Sequence, residues 1–190
     1  MYKVVLALLA MAGVAKTSYA QQEQDMSRGY PNHRVLVAYF SATGTTARVA
    51  GKVVAQATGG ELYSITPSES YTSADLDWND KQSRSSVEMS DPASRPAIGG
   101  EALNADGYDV IFLGYPVWWN LAPRIVNTFV ESHDLNGKTV IPFATSGSSG
   151  ITNSAAALKK TYPDIDWKEG KLLNRASAGD IREWVGKLGY

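Results

Sequence analysis

The sequence contains no cysteine, only two histidines and no surplus of positive charge. Each shortage removes a class of function. Without cysteine there is no disulfide, no thiolate nucleophile and no cysteine-ligated metal, so phosphatases that attack through cysteine are excluded. His33 and His133 are isolated, form no metal-ligand pattern and read as surface or capping residues. A formal net charge of −1 offers no basic excess to neutralise a phosphate backbone, which argues against nucleic acid as a partner. Asp75, Asp77 and Asp80 lack the calcium-loop pattern of an EF-hand and read as a solvated loop. The Gly-Lys-Ser/Thr ending of a Walker loop and the Gly-x-Gly-x-x-Gly fingerprint are missing as well.

What is present describes a folded domain behind a leader. Hydrophobic residues at 44% against charged residues at 19% are an ordinary globular balance. Lys3 precedes an apolar run, Val4 to Ala15, that is too short to span a bilayer comfortably. A more polar stretch then ends in Ser18-Tyr19-Ala20. Residues 1–20 therefore read as a Sec-type signal peptide cleaved after Ala20, with an uncleaved anchor helix as the alternative. No cysteine follows for lipid attachment, and no twin-arginine pair precedes the run. The expected location is periplasmic or secreted, with no stable membrane span after cleavage. Cleavage removes Lys3 and Lys16 and no acid, taking the formal charge from −1 to −3. Residues 21–32 read as a flexible lead-in, and 33–190 as one domain.

Within that domain strands and helices alternate. Val35-Leu36-Val37-Ala38-Tyr39-Phe40 is a continuous apolar run, as expected of a strand buried on both faces. Ala47, Ala50, Val53, Val54 and Ala57 recur at helical spacing over Thr45 to Ala57 before Gly59-Gly60. Glu61 to Ile65, Val110 to Leu113, Thr139 to Ala144 and Leu172-Leu173 read as further strands. Helices are expected after Pro123, over Ser154 to Lys160 with Thr152 or Asn153 as cap, and over Gly179 to Leu188. The alternation predicts an α/β fold with a mostly parallel sheet. Two segments fit poorly. Pro142 lies inside a strand, where it removes a ladder donor and reads as a bulge or the end of regular pairing. Ser68 to Ala97 is too long and polar for an ordinary connection and reads as an irregular excursion with one short helix.

Ligands of parallel α/β sheets bind at the carboxyl ends of the strands, and three loops occupy such ends. Ser41-Ala42-Thr43-Gly44-Thr45-Thr46 combines hydroxyls, a glycine and a helix N-terminus without any charge: a phosphate cradle, or equally a hydroxyl-rich helix cap. Tyr115-Pro116-Val117-Trp118-Trp119-Asn120 offers flat rings for a flat heterocycle, or core filling. Thr145-Ser146-Gly147-Ser148-Ser149-Gly150 offers backbone to a ligand edge, or is a linker.

Together these motifs resemble the flavodoxin-like family. Ser41, Thr43, Gly44 and Thr46 match its Ser/Thr-x-Thr-Gly-x-Thr phosphate signature. Gly114 to Trp119 with Ala122-Pro123 and Thr128-Phe129 resembles a subfamily with a Pro-x-Trp-Trp flavin loop. Val140-Ile141-Pro142-Phe143 before Ser146 to Gly150, and the stretch from Asp75 to Pro96, are similar to the same group. The third loop lacks the stacking tyrosine of many ordinary flavodoxins. The resemblance implies a flavodoxin-like three-layer sandwich, a five-stranded parallel sheet in order 2-1-3-4-5 and non-covalent FMN. By the same resemblance Ser41, Thr43, Gly44, Thr45 and Thr46 hold the phosphate, Pro116, Val117, Trp118 and Trp119 line the isoalloxazine, and Ser146, Gly147 and Ser148 meet its other edge. No catalytic side chain is implied, because the flavin does the chemistry. The expected function is electron transfer with a redox partner protein or a small acceptor. The alternatives are an FMN-dependent NAD(P)H reductase of quinone, azo or nitro compounds, and a non-enzymatic binding module on the same fold.

Overall fold

The computed structural model describes residues 33–189. The leader and the lead-in expected over residues 1–32 lie outside the described residues. Eight strands and five α-helices follow in chain order: β1 (Val35–Tyr39), α1 (Lys52–Thr58), β2 (Glu61–Ser64), β3 (Thr66–Pro67), α2 (Arg84–Ser90), β4 (Ile98–Gly99), β5 (Val110–Pro116), α3 (Arg124–Glu131), β6 (Thr139–Thr145), α4 (Thr152–Thr161), β7 (Asp166–Trp167), β8 (Lys171–Leu172) and α5 (Ala178–Leu188). A π-helical turn, Ala47–Gly51, leads into α1. There the helix crosses the ring of Tyr39 so closely that a Cβ on Gly51 would lie 3.1 Å from it.

The main sheet is parallel, in order β2-β1-β5-β6-β7, with β8 also beside β6. Since β7 pairs with Thr139 and Val140 and β8 with Phe143 and Ala144, the two are halves of one broken edge strand. The expected five-strand order is therefore the one observed. Alternating side chains bury both faces, which is why the strands read as unbroken apolar runs. Ile111, Leu113 and Tyr115 of β5 pack with Ile125, Val126 and Phe129 of α3 and Leu158 of α4. Phe112 points the other way and meets Trp184 of α5 edge-on at 5.8 Å.

Two expectations about the elements change. Helix α4 begins earlier than expected, at Thr152, and no side chain caps it. Its first buried hydroxyl, Ser154 Oγ, donates to Ile151 O at 2.8 Å instead. Pro142 neither ends nor bulges its strand: it pairs in register with Leu113. Lys168 N–H donates to Val140 O and Leu173 N–H to Ala144 O, so the even-numbered backbone groups of β6 face the edge strand. Pro142 thus directs its missing donor at the gap between β7 and β8, where Gly170 backs against it with 3.0 Å between a built Cβ and Pro142 O.

The long excursion is closed at its base. β3 and β4 pair antiparallel through Thr66–Gly99 and Pro67–Ile98, and Ser68 N–H donates to Ala97 O at 2.8 Å. Inside it, Asp75, Asp77 and Asp80 accept backbone N–H groups of Thr72, Asn79 and Gln82, as turn-forming acids do. Arg95 grips Glu131 of α3 through two bonds of 2.7 and 2.8 Å, tethering the excursion to the sheet-packing helices.

Candidate functional site

Parallel pairing brings the carboxyl ends of β1, β5, β6 and β8 to one edge of the sheet. Phe40 N–H, just past β1, donates to Gly114 O at 2.9 Å, and Val117 N–H, just past β5, donates to Thr145 O at 2.8 Å. Thr46 Oγ1 and Thr145 Oγ1, both buried, are 2.8 Å apart. The three sequence-identified loops are therefore bonded to one another. They enclose a cleft of about 560 Å³, within the range of roughly 300–1,000 Å³ usual for small-ligand sites.

Thr43, Thr45, Pro116, Val117, Trp118, Ser146 and Gly147 line this cleft, together with Val49, Thr145, Asn174 and Arg175. The other expected residues stand behind or beside that lining. Gly44 adopts φ +80°, with open space around a built Cβ. Its carbonyl accepts from Arg48 N–H at 2.9 Å. Thr43 and Thr45 hydroxyls are 3.1 Å apart on the exposed side of the loop. The hydroxyl of Thr46 is turned inward to Thr145. Ser41 Oγ is buried and has no hydrogen-bond partner among the described residues. A hydroxyl desolvated without a partner costs about 1–3 kcal/mol, so Ser41 is a donor or acceptor still to be satisfied. Ser148 is exposed outside the lining.

The two tryptophans have different fates. Trp118 meets Phe40 edge-on at 5.6 Å and Tyr71 at 5.4 Å, forming a half-buried wall of the cleft. Trp119 is 47% exposed. It sits at φ 45° beside Asn120 at φ 65°. These are the central residues of a tight turn closed by reciprocal 2.9 Å bonds between Trp118 and Leu121. Positive φ at both positions is the type I′ geometry, which a bulky residue adopts only under strain.

Tyr71 brings the excursion to the cleft. Its hydroxyl donates to Glu88 Oε2 at 2.5 Å, and the Arg84 guanidinium lies 4.1 Å over its ring and bonds Glu88 at 2.7 Å. Burial, and then the Glu88 carboxylate, push its phenol far above the ordinary range. At the start of the second loop, burial raises the Tyr115 phenol to about 12. Both phenols therefore stay protonated at neutral pH.

Asn174 and Arg175 were not anticipated from the sequence. They follow β8, so applying the strand-end rule to the short last strand would have found them. Asn174 clamps the third loop: its Oδ1 accepts from Ser146 N–H at 2.7 Å and its Nδ2 donates to Ser146 O. Ser146 Oγ in turn accepts from Ser149 N–H at 2.9 Å. The glycine- and serine-rich loop is thus a held turn rather than a free linker.

Among the described residues no carboxylate, histidine or lysine lines the cleft, and Arg175 is its one charged lining residue. A neighbouring groove of about 590 Å³ runs along α5 past Lys171, Asp180, Glu183, Trp184 and Lys187. It shares only Asn174 and Arg175 with the cleft and meets none of the three loops. The loops therefore locate the site in the cleft. An unsatisfied Ser41 hydroxyl, open space at Gly44 and a flat aromatic wall fit a phosphorylated flat heterocycle.

Among the described residues no helix is long and apolar enough to cross a membrane, and no cluster of histidine and acidic side chains could hold a metal ion. No curated protein matches the chain by sequence. A solved candidate flavoprotein from Bacteroides eggerthii is 62% identical, with a TM-score of 0.80, covering 84% of this chain and 99% of its own. One from Bacteroides uniformis is 58% identical, with a TM-score of 0.78, covering 81% and 98%. A Lactobacillus acidophilus flavoprotein solved in complex with FMN shares the fold at 18% identity and a TM-score of 0.63, covering 80% and 99%. The sequence model of the flavodoxin family matches residues 34–188. On this match and on the two Bacteroides relatives, the chain belongs to the flavodoxin family.

Proposed function

We propose that the cleft binds FMN non-covalently and that the protein carries electrons between redox partners. The carrying observation is Ser41 Oγ, buried and unpartnered in a loop that also presents Thr43 and Thr45 hydroxyls at a helix N-terminus. Ser41, Thr43 and Thr45, with the backbone N–H groups around Gly44, would hold the phosphate. Trp118, Pro116 and Val117 would flank the ring, and the Asn174-clamped backbone of Ser146 and Gly147 would meet its edge and exclude water. The Lactobacillus relative of this fold, solved with FMN, supports the choice of cofactor. When bound, FMN supplies reversible electron uptake, and the protein supplies position and tuning. Among the described residues the lining holds no carboxylate, histidine or lysine to act as a general acid or base, which suits that division of labour.

The signal peptide expected from the sequence over residues 1–20 favours action outside the cytoplasm, where nicotinamide donors are scarce. This favours a carrier over an NAD(P)H reductase. The purified mature protein is expected to show a flavin band, directly or after FMN is added. A protein with no band and no FMN titration would overturn the reading. Anaerobic mixing with NADH or NADPH is expected to leave the band intact over a turnover timescale; rapid bleaching would make the protein a reductase.

A further inference from the structure

The phosphate loop Ser41–Thr46 carries no charge, whereas a phosphate monoester at neutral pH carries about −1.5 to −2. Among the described residues the one charge in the cleft lining comes from a fourth loop: Arg175, which lines the cleft together with Thr43 and Thr45. No hydrogen bond or ion pair holds its side chain among the described residues. The nearby lysines are otherwise engaged: Lys187 bonds Glu183 at 2.6 Å, and Lys171 lies 5.8 Å over the Trp184 ring.

The backbone that carries Arg175 is fixed on both sides. Leu173 N–H donates to Ala144 O at 2.8 Å, and Asn174 clamps Ser146. Two residues later, Ser177 and Asp180 close a capping box with bonds of 2.8 and 3.1 Å. Arg175 therefore stands on a short, anchored connection between the cleft and the α5 groove; the carboxylates of that groove are already engaged, Asp180 by Ser177 and Glu183 by Lys187, and among the described residues none lines the cleft itself. A planar guanidinium suits phosphate oxygens, which it can meet through two donors at once.

We infer that Arg175 is the charge partner of the FMN phosphate and sets the preference for FMN over unphosphorylated riboflavin. This rests on the FMN reading above. A hydrogen bond to a charged group corresponds to roughly ten- to hundredfold in affinity.

The test is a fluorescence titration of apoprotein with FMN and with riboflavin, at low and high salt, for the wild type, Arg175→Gln and Arg175→Lys. Arg175 is exposed, so both variants are expected to fold, and thermal unfolding verifies it. Arg175→Gln should bind FMN about ten- to hundredfold more weakly, bind riboflavin as the wild type does, and lose most of the salt dependence. Arg175→Lys should recover part of the FMN affinity through its charge. A glutamine variant with wild-type FMN affinity and salt dependence overturns the inference while leaving the FMN reading intact. Equal losses for FMN and riboflavin also overturn it, since Arg175 would then contact the ring or merely brace the loop. A wild type that binds neither flavin overturns the FMN reading and this inference with it.

Discussion

Gly44 separates backbone strain from ligand space. It sits at φ +80°, and a Cβ built on it has no neighbour within 4 Å. An alanine there would clash with nothing in the protein, so its cost is conformational, about 1–2 kcal/mol for an L-residue held in the left-handed region. Loss of backbone freedom in the unfolded chain offsets roughly 0.4–1 kcal/mol of that. The net destabilisation is about 1 kcal/mol, or ~2–4 °C in Tm for a domain of this size. That is small against the ~5–15 kcal/mol stability of a typical domain, so Gly44→Ala folds. Gly44→Val costs somewhat more, because a β-branched residue is a poorer fit to positive φ. Gly44→Asn costs less, because asparagine tolerates this region. All three, however, put a side chain into the open space of the cradle. FMN affinity should therefore fall at least about tenfold, the equivalent of ~1.4 kcal/mol, in each variant. Thermal unfolding of the apoprotein and FMN titration read the two effects independently. Gly44→Asn binding FMN like the wild type, or affinity that tracks Tm across the three variants, would refute the claim that this space belongs to the phosphate.

Other substitutions probe the walls and the frame. Trp119→Gly removes a large side chain yet should leave Tm unchanged or slightly raised, because Trp119 is strained at φ 45° and exposed. Trp118→Ala should lower Tm, since each of its edge contacts with Phe40 and Tyr71 is worth roughly 0.5–1.5 kcal/mol beyond burial; equal Tm changes for the two tryptophans would contradict their assigned roles. Glu131 is held below its ordinary carboxyl value of 4.5, first by the Arg95 hydrogen bond and further by that of Tyr162. The folded state therefore favours ionised Glu131. Its contribution is complete above about pH 4.5 and is lost as the pH falls through the lower folded value. Urea midpoints measured between about pH 6 and pH 3 should fall less steeply with acid for Glu131→Gln than for the wild type, and parallel curves would refute the coupling.

Much of the frame is local information. The apolar run at Val35–Phe40, the helical spacing after Thr45 and the stop at Gly59-Gly60 each report a preference that neighbouring residues share, so the sequence alone determined the alternation and hence a parallel sheet. The hydroxyl-rich and tryptophan-rich loops were visible for the same reason, as departures from strand and helix composition. Composition could not say how their side chains divide. Whether Trp118 or Trp119 packs depends on Tyr71 arriving from the excursion, and that excursion is held by β3–β4 and Arg95–Glu131 pairings that have no local signature.

Pro142 shows the same limit. Its tolerance is decided by a gap in a partner strand far along the chain. The hydroxyl of Thr46 turns inward only because β6 ends with Thr145 beside it. Asn174 and Arg175 have unremarkable neighbours in sequence, and they reach the cleft because β8 pairs with β6 and sets its own carboxyl end beside the other three. Sequence determines what each segment tends to be, because those energies are short-ranged. Long-range backbone pairing decides which segments meet, and so only the tertiary structure could assemble the three loops, and the arginine of a fourth, into one site.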